Sequence, residues 1–255
     1  MKNIISSKSS YNYLERSISD IILVSLCFFL NPFVAVLIAG LIAGLKNSKV
    51  SIDVLIIVIS IFIGLLNTTK ILESDIVSYY DNFFSAEYNS LLEFINVRSK
   101  EYLYYTYTYF FYNLSGGSWK LYILSTTAIS YYLILKSNLI VINKVFKNYN
   151  YKVLLLVNIA LLYPLFTLSA HLLRNFIAAS FILYFVVNYY FNYKNKWIYL
   201  IAAILTHGSS ILFTILYILP NNFTFHYFRN HQYLASSVFS CSLKLHSYFR
   251  LHSFR

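Results

Sequence analysis

Apolar positions along the chain fall into long runs separated by short polar breaks. A helix that crosses a bilayer needs roughly 20 apolar residues, within a range of about 17–25. Residues 18–45 contain no Lys or Arg, and only Asn31–Pro32 interrupts them. Proline inside a helix removes a hydrogen bond and kinks or breaks it. The stretch therefore predicts either one long kinked helix or two short helices meeting at the proline. Residues 54–69 form the next run, and 102–119 form an aromatic, uncharged run that Gly116–Gly117 ends. Residues 121–135 are flanked by Lys120 and Lys136, and 153–173 contain Pro164. Residues 175–193 follow, and 197–219 carry His207–Gly208 at their middle, with Pro220 closing them. The pattern predicts an all-α, polytopic transmembrane bundle of about six to eight membrane helices, some of them short, kinked or broken. The predicted domain boundary is at 220, with a bundle over 1–220 and an irregular basic tail over 221–255.

Lys and Arg placement orients these runs, because cytoplasmic loops are enriched in both. Lys2, Lys8, Arg16, Lys46 and Lys49 put the N-terminus and the loop after 45 inside, which favours two helices in 18–45. Lys136, Lys144, Lys147 and Lys152 mark a second inside loop, and Lys194 and Lys196 a third. Residues 70–101 carry six acids against Lys70, Arg98 and Lys100, and belong outside. Residues 102–114 are then expected to lie at the outer interface or dip into it, with 119–135 crossing. Their tyrosines suit an interfacial belt. The scheme leaves the tail outside, although it carries four basic residues and four of the six histidines and no acid. That conflict makes the chain look shortened at its C-terminus, with a tail of non-native or vestigial coding.

Composition agrees with the runs. Hydrophobic residues are 58% and charged residues 11% of the chain, and mean hydropathy is +0.60. Soluble domains carry about 25% charged residues, and a soluble chain this apolar could not cover its own surface. Net charge is +11, but the cations stand singly between apolar runs, as loop charge does, so nucleic acid is excluded as a partner. All nine acids lie in residues 1–101, so Glu101 is the last carboxylate side chain. Cys27 and Cys241 form no paired spacing. The first apolar run lacks a small-residue cleavage site and reads as a retained membrane segment. Gly40-x-x-x-Gly44 with Ala35, Ala39 and Ala43 makes a small-residue stripe suited to close helix packing.

Ionisable residues inside or beside a membrane span are costly, and few are present here. Arg174 sits between two apolar runs, with no acid near it in sequence. Its permanent charge suits a phosphate or pyrophosphate; the competing reading is an arginine that snorkels to lipid headgroups. His207 lies mid-run, and Gly208 weakens the helix there. It suits a base or a donor to phosphate; the competing reading is a histidine bonded to a neighbouring helix. His171 precedes Arg174 by three residues and shares its face if the helix is continuous. Asp75, Asp81, Glu87, Glu93 and Glu101 are acids of the outside loop, where a carboxylate suits a base towards a sugar hydroxyl. Most acids in such a loop are simply solvated. No Walker loop, Gly-rich dinucleotide motif or clustered set of metal ligands is present, so no cofactor and no metal are expected.

Ser74-Asp75 with Tyr79 and Phe83, Lys100-Glu101-Tyr102, Arg174-Asn175 with Ala178, and Thr206-His207-Gly208-Ser209-Ser210 follow one another in order. Over residues 20–220 this order resembles the Wzy/EpsG group of bacterial polysaccharide polymerases, with Asn175 where that group has glutamine. The resemblance implies a glycosyltransferase-type enzyme of the bacterial inner membrane. Such an enzyme joins undecaprenyl-pyrophosphate-linked oligosaccharide repeats at the outer face into O-antigen or capsular polysaccharide. It implies the lipid bilayer and a chain-length regulator protein as partners. On that basis Arg174 and His171 bind pyrophosphate, while Asp75, Glu101 and His207 are the catalytic candidates. Two other readings stand beside it. One is a transporter or flippase of lipid-linked oligosaccharide, which would show internal symmetry that this chain lacks. The other is an inactive remnant.

Overall fold

The computed structural model describes residues 18–46, 48–71, 75–96, 101–145 and 149–212. The described residues are all-helical, with no strand among them. The chain divides into a unit over residues 1–210 and a second over 211–255, of which only Ile211 and Leu212 are described. The tail that the sequence set apart at 221 lies outside the described residues.

Helix α1 (Ile18–Leu30) and α2 (Pro32–Lys46) are separate helices. Asn31 makes the join: its backbone N–H donates to Cys27 O at 2.8 Å, and its Oδ1 accepts from Phe33 N at 2.9 Å. Proline at the first position of a helix lacks only an N–H that would have no partner anyway. Lys46 Nζ donates to Asp20 Oδ1 at 2.6 Å, so the far ends of the two helices meet and the pair folds back as a hairpin. The stripe predicted for close packing is used selectively. Ala35, Ala39 and Ala43 are buried, whereas a Cβ added at Gly44 would meet nothing within 4 Å.

Helix α3 (Lys49–Asn67) and α7 (Trp119–Val145) form the central pair. They are the two described helices long and apolar enough to cross a membrane, with a third span if the bent pair below counts as one. They approach so closely that a Cβ on Gly64 would lie 2.7 Å from the Leu124 carbonyl oxygen. A large aliphatic core joins α1, α2, α3, α7 and α8 through residues such as Ile52, Leu55, Ile56, Leu135 and Leu156. Lys136, expected in a loop, lies inside α7 and donates to Asp53 Oδ1 at 2.5 Å.

Short helices cover the other end of α7. They are α4 (Asp75–Phe84), a 3₁₀ turn (Ser85–Tyr88), α5 (Leu91–Asn96) and α6 (Tyr102–Ser115). Ser90 and Glu93 cap α5 reciprocally: Ser90 N donates to Glu93 Oε2 at 2.9 Å, and Glu93 N to Ser90 Oγ at 3.4 Å. Helix α6 has 14 residues, about 21 Å, too short to span. Gly116 and Gly117 end it with φ of 61° and 77°, the left-handed geometry that favours glycine. Its tyrosines were expected to form an interfacial belt. Tyr104 and Tyr105 instead pack with Phe83, Phe94 and Tyr122 into an aromatic core, while Tyr102 and Phe110 stay exposed.

The run expected over 153–173 is divided. Helix α8 (Tyr149–Ala160) and α9 (Tyr163–His171) meet at 48°, as measured over Tyr151–Ala160 and Tyr163–Ser169, with Pro164 in the first turn of α9. Helix α10 (Leu173–Tyr190) packs on α7 and on α11 (Lys196–Thr206).

Candidate functional site

Three chain segments meet at Glu101. It precedes the first turn of α6, and its side chain is only 11% exposed. Arg174, the second residue of α10, donates from Nη1 to Glu101 Oε2 at 2.5 Å. His207 places Nδ1 2.5 Å from Glu101 Oε1. The partners are 73 and 106 positions away in sequence. A buried carboxylate is costly unless it is paired and hydrogen-bonded, and here each oxygen has its own cationic or N–H partner. Because a carboxylate only accepts, Nδ1 of His207 carries the proton, which leaves Nε2 with its lone pair free in the neutral ring.

The local folding of each segment explains the meeting. Helix α11 stops at Thr206, and His207 has φ −153° and ψ 120°, extended backbone that turns the ring off the helix axis. A Cβ at Gly208 would meet nothing within 4 Å, so this glycine acts by weakening the helix and not by making room. The break expected at His207–Gly208 is therefore present. Leu172, with φ −122° and ψ 47°, separates α9 from α10, so Arg174 starts a new helix. His171 is the last residue of α9. The helix between them is not continuous, and the shared face expected from their spacing does not exist. Arg174, which has no acid near it in sequence, has one in space.

Two polar atoms beside this pair stay unsatisfied. Arg174 Nε and the neighbouring Asn175 Oδ1 are buried atoms with no hydrogen-bond partner among the described residues. Tyr79 of α4 completes the surroundings. Burial pushes its phenol up from the ordinary value; the Arg174 charge opposes this, and Asp75 and Glu101 add to it. Tyr79 also sets its ring edge-on to Tyr104, centroids 6.2 Å apart, and so couples the site to the aromatic core. Asp75 opens α4 and is exposed, with no ion pair to Arg174 or His207. Among the described residues no three His, Cys, Asp or Glu side chains gather as metal ligands.

Apolar helices around a buried carboxylate that holds an arginine and a histidine define a membrane protein with a polar centre at one end of its bundle. Comparison with family models matches residues 52–251 to the EpsG family. The chain belongs to the EpsG family, and it is a membrane protein of the polysaccharide-polymerase type. No curated protein and no solved structure matches it.

Proposed function

We propose that this chain is a multi-pass protein of the bacterial inner membrane that joins undecaprenyl-pyrophosphate-linked oligosaccharide repeats at the outer face. The acceptor hydroxyl oxygen attacks the anomeric carbon of the donor glycan. The bond from that carbon to the pyrophosphate oxygen breaks, and undecaprenyl pyrophosphate leaves with the electron pair. His207 Nε2 takes the hydroxyl proton. Arg174, through the N–H groups that Glu101 leaves free, neutralises charge on the leaving group as it develops. Glu101 holds the histidine tautomer and the guanidinium, and so acts as a positioning residue. Its oxygens are both engaged, which argues against Glu101 as the free base. Asp75, exposed beside Tyr79, is assigned to orienting the acceptor sugar. His171, on a separate helix end, is assigned to a headgroup contact.

The observation that carries this reading is the single carboxylate gripping both Arg174 and His207 from distant segments. Complementation of a polymerase-null strain tests it, read as the length of the surface polysaccharide ladder. The wild-type chain should restore long ladders and Arg174→Ala only single repeats. Long ladders from Arg174→Ala at equal protein level would overturn the assignment.

A further inference from the structure

The opposite end of α10 carries a second polar construction that the polymerase reading does not use. Arg174 and Asn188 lie 14 residues apart on this helix, about 21 Å at the helical rise. Around Asn188 a cleft of about 450 Å³ opens between α3, α7 and α10. That volume lies within the range of sites for small ligands, about 300–1,000 Å³. Its charged lining is Lys49, Asp53 and Lys136, and Asn143 and Asn188 supply amides. Tyr132, Tyr184 and Tyr193 supply rings and hydroxyls.

The charges have a defined arrangement. Asp53 holds Lys136 at 2.5 Å, which fixes the ammonium at the cleft and cancels one charge. Lys49 opens α3, is exposed, and has no ion-pair partner among the described residues. Ser51 N is taken by the Ser48 cap at 3.1 Å, while the dipole of α3 still favours an anion at this end. Lys152, buried, donates to Asn143 Oδ1 at 2.8 Å and adds a further positive charge behind the wall. Lysines outnumber the carboxylate, and hydroxyl and amide groups surround them.

We infer that this cleft binds a phosphate-bearing head group rich in hydroxyls, at the membrane face opposite the Glu101 centre. The phosphate sits between Lys49 and Lys136 at the start of α3. Head-group hydroxyls donate to Asp53 and to the amide oxygens. The tyrosine rings flank the polyol.

The test uses the full chain in nanodiscs. Native mass spectrometry counts retained lipid in mixtures of phosphatidylglycerol and phosphatidylcholine. A separate arm adds soluble glycerol phosphate to pure phosphatidylcholine discs. Selective retention of phosphatidylglycerol is expected. Lys49→Ala alone should weaken it, and Lys49→Ala with the neutral pair Asp53→Asn and Lys136→Gln should weaken it about tenfold. The neutral pair avoids leaving a lone charge, and size-exclusion chromatography with thermal unfolding in detergent checks that the variant still folds. Binding of glycerol phosphate that the same variants abolish would support the phosphate site with a soluble source. Equal retention of both lipids without glycerol phosphate binding, or retention unchanged in folded variants, would overturn the inference. Glu101→Gln should leave retention untouched, so this outcome stands apart from the fate of the polymerase reading.

Discussion

The two ends of α10 solve the same electrostatic problem differently. At its start, one carboxylate only 11% exposed holds two partners, one on each oxygen. Near its end, a carboxylate 31% exposed holds one lysine across an open cleft, with further lysines around it. Removing a partner from a buried pair strands a charge, which costs several times what a wet pair contributes. The first arrangement therefore fixes atoms in place, as chemistry demands. The second, on the inference above, keeps charge available to a ligand.

Mutations should separate the two ends. The largest effect is expected from Arg174→Ala, which on the proposed reading removes the leaving-group cation and should lower polymer output about a hundred- to a thousandfold. His207→Ala should cost about a hundredfold, the usual contribution of a positioned base. Glu101→Gln keeps the shape but lets His207 turn and Arg174 swing. It should cost at least about tenfold and should shift the pH profile of ladder formation, which a purely structural loss would not. Single-turnover transfer between purified lipid-linked repeats measures all three. At the other end, Asp53→Asn with Lys136→Gln should leave transfer within about twofold, since the half-buried pair lies away from the Glu101 centre and both members are neutralised together.

A smaller effect tests the turn just past α3. Lys70, just past α3, donates to Phe166 O at 2.7 Å and stands over the Phe166 ring. Burial lowers its pKa from 10.5 to about 8. The folded state then binds fewer protons than the unfolded state between these values, so stability should rise with pH across that window. Thermal unfolding in detergent between pH 7.5 and 9.5 should show this gain for the wild-type chain. Lys70→Met should flatten it.

Punctuation along the chain was legible where a residue type itself breaks a helix. Asn31–Pro32, Gly116–Gly117 and His207–Gly208 each mark a break found in the structure. The break at Leu172 has no such residue; Arg174 divides the runs 153–173 and 175–193 and signals it within two positions, while tertiary packing sets the exact point. Arg174, His207 and Glu101 were each visible as candidates, since ionisable groups beside apolar runs are rare. Their meeting was not, because contacts across 73 and 106 positions leave no local period. The tyrosines of α6 misled for a related reason. Aromatic residues suit a membrane interface and a packed core equally, and only the arrival of Phe83, Phe94 and Tyr122 made them a core. Lys136 likewise reads as a loop cation until Asp53 faces it from another helix.

The Gly64 contact bears on how such a molecule moves. With the Leu124 carbonyl 2.7 Å from where a side chain would begin, α3 and α7 pack backbone against backbone here, and any side chain at Gly64 would force them apart. They form a stator. On the proposed polymerase reading, admission of a glycan would fall to the short pieces around the stator, at the bends of 161–162 and 172 and at the extended residue 207. These junctions carry Arg174 and His207, so a rearrangement there would also release the grip of Glu101. Each polymer step would then reset its own catalytic geometry.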